Sequence, residues 1–196
     1  MTMTGPGDWT IASLAEEYSR KNLSPVEVTR AYLDRIYSHN ESLGAFITVT
    51  ADQALAAARE AEKEIREGRT KSPLHGVPMA IKDQFWTEAV RTTGGSRLLS
   101  DFIPNQNSTL VKKLNTAGVV SLGKLNMAEF ALGGTRHYPY GQPRNPWDLD
   151  RNPGMSSAGS GIAVSASLAT ATIGEDTGGS VRVRAGMSGV AGLRPT

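Results

Sequence analysis

With 196 residues and a formal net charge of +2, the chain is long enough to bury a substantial core and too nearly neutral to argue for nucleic acid. Apolar residues make up 39% and charged residues 20%, the balance of a globular rather than a disordered chain. The absence of cysteine excludes disulfides, zinc–thiolate sites and a cysteine nucleophile. The start, MTMTGPGDWT, has neither a basic n-region nor an apolar h-region, and no apolar run approaches membrane-spanning length. No membrane and no direct nucleic acid are therefore expected as partners, and a cytoplasmic location is the default.

Taken in chain order, the first predicted element is a helix over residues 10–20, with Ile11, Leu14, Ala15 and Tyr18 at helical spacing and Thr10 as its N-cap. Ser24-Pro25 followed by Glu27 reads as a capping box with proline at the first helical position. The helix it opens carries Val28, Tyr32, Leu33 and Ile36 on one face. A third helix, from about Ala51 to Glu67, aligns Ala54, Ala58, Ala61 and Ile65, and Gly68 ends it. After Pro73 the pattern changes. Val77–Ile81 reads as a buried strand running into Lys82 and Asp83, and a helix near Ser108–Thr116 leads to a second strand at Val119–Leu122. Further strands are predicted at Ala169–Ile173 and Gly189–Leu193. Helices alternating with short apolar strands predict one α/β domain whose sheet is at least partly parallel. Within residues 1–196, a helical layer (1–70) precedes the sheet and its motifs (71–196).

Several stretches carry candidate chemistry. Thr177-Gly178-Gly179 before Ser180 can turn its backbone N–H groups inward, as an oxyanion hole requires; a phosphate loop or a plain tight turn would use glycine in the same way. The serine-hydrolase elbow is absent, because Arg182 stands where the second glycine should be. A Ser–His–Asp triad would have to recruit His39, His75 or His137. Ser121 and Lys124 match S-x-x-K, but in a strand-like run and without the companion motifs, so the match reads as chance. Lys82 closes an apolar run. Desolvation there would lower its pKa toward neutrality and make it a base, whereas a simple pairing with Asp83 would leave it structural. The small-residue stretch Pro153–Gly161 leads into an Ala/Val-rich helix, and either close packing or a catalytic site would explain it.

Lys82 in GVPMAIKD, Ser156 in NPGMSSAGSG and Ser180 in GEDTGGSVR together resemble the three-part pattern of the amidase signature family. The 24-residue separation of Ser156 and Ser180 matches the family's usual spacing, and SPVEVTRAYLDRI, GVVSLGKLNMAEFALGG, YGQPRNPWDLDRNPG and GVAGLRPT extend the likeness over nearly the whole chain. The resemblance implies the amidase signature fold, an α/β fold with a mixed, partly parallel central sheet covered by helices, and an amide-bond hydrolase that uses no metal or cofactor. It casts Ser180 as nucleophile, Ser156 as bridging serine and Lys82 as base, with the backbone of Thr177, Gly178, Gly179 and Ser180 as oxyanion hole. Ser157, Asp176 and Arg182 match supporting positions. It also implies a cis peptide bond between Met155 and Ser156.

The chain departs from the family pattern at Met155 and Ala158, which replace glycines, at Arg184, which replaces a proline, and at Asn107-Ser108 before the Thr109 helix. Family domains run to more than twice this length, so the C-terminal end is expected to be truncated, and a homodimer or a missing C-terminal portion is the expected partner. A small-molecule amide is the expected substrate. Two rivals stand beside hydrolysis: the amidase-like subunit of a tRNA-dependent amidotransferase, and a catalytically incomplete fragment or interaction protein that retains the motifs.

Overall fold

The computed structural model describes residues 5–132, 134 and 137–195. Helices α1 (Ile11–Ser19) and α2 (Pro25–Leu43) open the chain, followed by strand β1 (Phe46–Val49) and helix α3 (Ala51–Arg66). Both predicted N-caps form. Ser24 Oγ accepts from Val26 N at 3.0 Å and Glu27 N at 3.4 Å, while Glu27 Oε2 accepts from Ser24 N at 3.1 Å, so donors at the helix start that have no partner within the helix are satisfied. Strand β2 (Pro78–Lys82), helix α4 (Thr109–Ala117) and strand β3 (Val120–Leu125) come next, then α5 (Ala158–Ser165), β4 (Ala171–Ile173) and α6 (Arg182–Ser188).

The four strands form one sheet in the order β1-β3-β2-β4. β2 runs parallel to both β3 and β4, and β1 pairs antiparallel with β3. The sheet is therefore mixed and mainly parallel, as expected. All five residues of β2 are buried, the behaviour of a parallel strand covered on both faces. α2 packs against β2 and β3, α3 against β3, and α5 against β2, β3 and β4. Leu14, Val28, Tyr32, Ile36, Ile81, Leu122 and Ile162 meet in a single core. Arg35 of α2 donates to the carbonyls of Ala166 and Ser167 at 2.8 and 3.0 Å, placing a cation at the C-terminus of α5 where unpaired carbonyls collect. Among the described residues no helix is long and apolar enough to cross a membrane.

Two elements differ from expectation. Strand β1 lies between the first helices, in a stretch predicted to be helical layer alone. The strand predicted at Gly189–Leu193 does not form. Gly189 has φ +68° and closes α6 as a left-handed cap, after which the backbone runs on without a ladder and Leu193 is exposed.

Candidate active site

The parallel pairing sends β2, β3 and β4 to finish at the same end of the sheet, where Lys82 pairs in register with Leu125 and Ile81 with Ile173. Crevices beyond the carboxyl ends of parallel strands are where α/β proteins place their chemistry. Lys82 ends β2 there, Glu175 follows β4 by two residues, and Ser156 and Ser157 stand just ahead of α5. The start of α5 is pressed onto the backbone. A Cβ on Gly159 would lie 2.4 Å from Ala45 O and 2.6 Å from Asn126 N, so only glycine fits. The small residues of that stretch are thus a packing requirement that also sets Ser156 in place.

Lys82 is fully buried. Its Nζ donates to Ser156 Oγ at 2.6 Å and to Glu175 Oε2 at 3.0 Å. Burial pushes its pKa down, the Glu175 carboxylate opposes that, and the Arg184 charge adds to the lowering. Asp83, the next residue, takes the other side. It accepts from Thr93 N and Thr93 Oγ1 at 2.8 and 2.5 Å, and lies 3.4 Å from Lys124 Nζ. The structural alternative for Lys82, a pairing with Asp83, is therefore filled by Lys124. Lys124 Nζ also donates to Phe85 O and Thr92 Oγ1, not to Ser121, consistent with a chance S-x-x-K match.

Among the described residues no peptide bond is cis, so the bond between Met155 and Ser156 is trans, contrary to the expectation. Ser156 reaches Lys82 without it. The Tyr138 hydroxyl, 2.9 and 2.7 Å from the carbonyls of Gly154 and Met155, braces this turn. Ser157 is buried and donates to Glu175 O at 3.3 Å.

The segment carrying Ser180 folds around Asp176. Its carboxylate accepts from Gly179 N at 2.6 Å, Val181 N at 3.3 Å and Arg182 N at 3.2 Å. It also pairs with the Arg182 guanidinium at 2.9 and 3.1 Å, which holds the Asp176 carboxyl well below the usual carboxylate range. Thr177 Oγ1 donates to Glu175 Oε1, and the Thr177 N–H also faces that carboxylate. Of the four N–H groups expected to form the oxyanion hole, that of Gly179 thus already serves a side chain, and that of Thr177 faces one. Ser180 is half-buried at the end of this loop, and no hydrogen bond joins its hydroxyl to Ser156 among the described residues. Lys82 and Ser156 are brought into direct contact; Ser180 is not.

The histidines hold no such position. His39 is exposed, and His137 is exposed beside Glu129 at 3.7 Å. His75 is buried, but its Nδ1 accepts from Lys71 N at 3.1 Å and its Nε2 lies 3.1 Å from Glu64, so both ring nitrogens are occupied. Glu175 and Tyr138 were missed by sequence reasoning. Glu175 sits inside the quoted motif, but nothing local signals a contact with a lysine 93 residues away.

The amidase family model matches residues 27–196. A glutamyl-tRNA(Gln) amidotransferase subunit of Geobacter sp. (strain M21) is 49% identical over 190 residues, covering 96% of this chain and 39% of that protein. The peptide amidase of Stenotrophomonas maltophilia superposes with a TM-score of 0.90 at 37% identity, over 95% of this chain and 40% of its own. An inhibitor-bound vestigial protein complex, described as revealing the origins of an s-triazine catabolic enzyme, gives a TM-score of 0.91 at 36% identity, over 96% of this chain and 42% of that one. The chain thus spans about two fifths of the length of the curated relatives it matches. On the family match over most of its length and on this agreement of fold, the chain belongs to the amidase family.

Proposed function

We propose that the site cleaves carboxylic amides through an acyl-enzyme, with Ser180 as nucleophile and a proton relay through Ser156 to Lys82. The observation that carries this reading is the 2.6 Å contact between a fully buried lysine amine and a serine hydroxyl at the carboxyl end of the sheet. A lysine held in a poorly solvated site can lose its proton near neutrality and act as a base. Neutral Lys82 then takes the proton of Ser156, which takes that of Ser180 as its Oγ attacks the amide carbonyl. The oxyanion is held by the N–H groups of the 177–180 loop that remain uncommitted, those of Gly178 and Ser180. The proton returns along the same path to the leaving amine, and water releases the acid. The link from Ser156 to Ser180 tightens once a substrate carbonyl draws the loop inward, as catalytic hydrogen bonds commonly do. Ser157, Asp176 and Arg182 hold the two loops in register. The relay needs neither metal nor cofactor.

A second reading rests on the 49% identity to an amidotransferase component: the amide cleaved is glutamine, and the ammonia passes to a partner protein. Turnover of a panel of carboxamides that includes glutamine, measured across pH, tests both. Activity rises with pH through the folded pKa of Lys82, because the base must be neutral, and Ser180→Ala abolishes it. A flat pH profile or an active Ser180→Ala variant contradicts the relay, and glutamine selectivity favours the second reading.

A further inference from the structure

Glu175 stands where two loops and the buried lysine meet, and both of its carboxylate oxygens and its main-chain carbonyl are engaged. Oε2 lies 3.0 Å from Lys82 Nζ, Oε1 accepts from Thr177 Oγ1, and the main-chain carbonyl accepts from Ser157 Oγ at 3.3 Å. The side chain retains 24% of its exposure, so it sits at the mouth of the site rather than in the core. The carboxylate therefore spans from the base to the glycine-rich loop that carries Ser180.

We propose that Glu175 is a positioning residue, whose carboxylate fixes the Lys82 amine against Ser156 Oγ and ties it to the Thr177 loop. The inference rests on the reading of Lys82 as base and goes beyond it. A flexible four-carbon side chain loses reach when its amine is free to rotate; one carboxylate oxygen in contact removes that freedom. The same contact has an electrostatic consequence. An anion within hydrogen-bond distance favours the ammonium form, so Glu175 moves the pH at which Lys82 becomes a base upward, against the lowering by burial. The other charges facing Lys82 act differently. Arg184 of α6 adds to the lowering, while Asp83, adjacent on β2, is engaged by Lys124 of β3. Glu175 is thus the anion that sets the position and the working range of the base. Its own carboxyl is raised by burial, but the bonds from Thr177 and Lys82 outweigh this and keep it below the usual range, so it is charged where the enzyme would work.

The test is an NMR titration of lysine 13Cε-labelled protein, full chain, with the Lys82 signal assigned by its loss in Lys82→Arg. In Glu175→Gln, which keeps the shape but not the charge, the Lys82 midpoint falls by about one to three pH units. In Glu175→Asp, which keeps the charge on a shorter side chain, the midpoint stays within about half a unit of the parent while acylation of Ser180 slows about tenfold or more, a loss of reach rather than of charge. An unmoved midpoint in Glu175→Gln overturns the assignment. So does a shift in Glu175→Asp as large as that in Glu175→Gln, and the Asp variant decides the matter if the Gln variant does not fold. Failure of the underlying reading shows separately: a Lys82→Ala protein that still acylates Ser180 removes the base itself, whatever the titration reports.

Discussion

Lys82 and Lys124 lie on neighbouring strands of one sheet, both fully buried, and they meet different kinds of partner. Lys124 meets Asp83, itself fully buried, and donates to the Phe85 carbonyl and the Thr92 hydroxyl, so its charge is answered inside the core. Lys82 meets a serine hydroxyl and a carboxylate that still reaches solvent. Burial lowers both lysines, Lys124 to about 8 against the pull of Asp83. A lowered pKa alone therefore does not mark a base. The difference lies in the partner: Lys124 faces a closed carboxylate, whereas Lys82 faces a hydroxyl, the group from which the proposed relay would take a proton.

Replacing each lysine with methionine separates the two sites by the largest expected effects. Lys82→Met leaves Glu175 with Thr177 and solvent for company, so stability is expected to change little, while loss of the proposed base is expected to lower acylation by roughly 10²–10⁴-fold. Lys124→Met leaves the Asp83 charge buried without a counter-charge, which costs about 3–5 kcal/mol in denaturant unfolding. The pH dependence of that loss has a definite sign. Burial already raises Asp83, and without Lys124 its folded pKa rises further above the unfolded value. The variant is then most stable below the ordinary carboxylate range and loses stability as pH climbs through the folded pKa. Equal effects of the two substitutions, on either observable, would erase the distinction.

A smaller effect calibrates the scaffold. Ser24→Ala removes the hydroxyl that accepts from Val26 and Glu27 at the start of α2, and should cost about 0.5–2 kcal/mol in denaturant unfolding while leaving the Lys82 titration unmoved. A shift of that titration would mean that the site is coupled to the helical layer more tightly than its contacts show.

Much of the fold was legible because its signals are local. The Ser24–Glu27 box, the alanine stripe of α3 and the apolar run into Lys82 each lie within a few residues. β1 was missed because Phe46–Val49 has four residues between two long helices, and its pairing with β3 is a contact across the chain. Gly189–Leu193 was misread because a short apolar run after a glycine looks like a strand, although the glycine there ends a helix. At the site, Lys82 could be suspected from its setting at the end of an apolar run, but its meeting with Ser156 came from the family resemblance alone. The use of the Gly179 N–H by Asp176 and the Glu175 contact are choices among side-chain partners that no spacing encodes, and the trans bond before Ser156 departs from what the resemblance implied.

Activation of Ser180 by the proposed Lys82–Ser156 pair is read out by fluorophosphonate labelling mapped by mass spectrometry. A single adduct on Ser180 is expected in the folded protein, formed faster as pH rises and lost in Lys82→Met. Undiminished labelling of Ser180 in Lys82→Met, or no labelling of a chain shown to be folded, would contradict it.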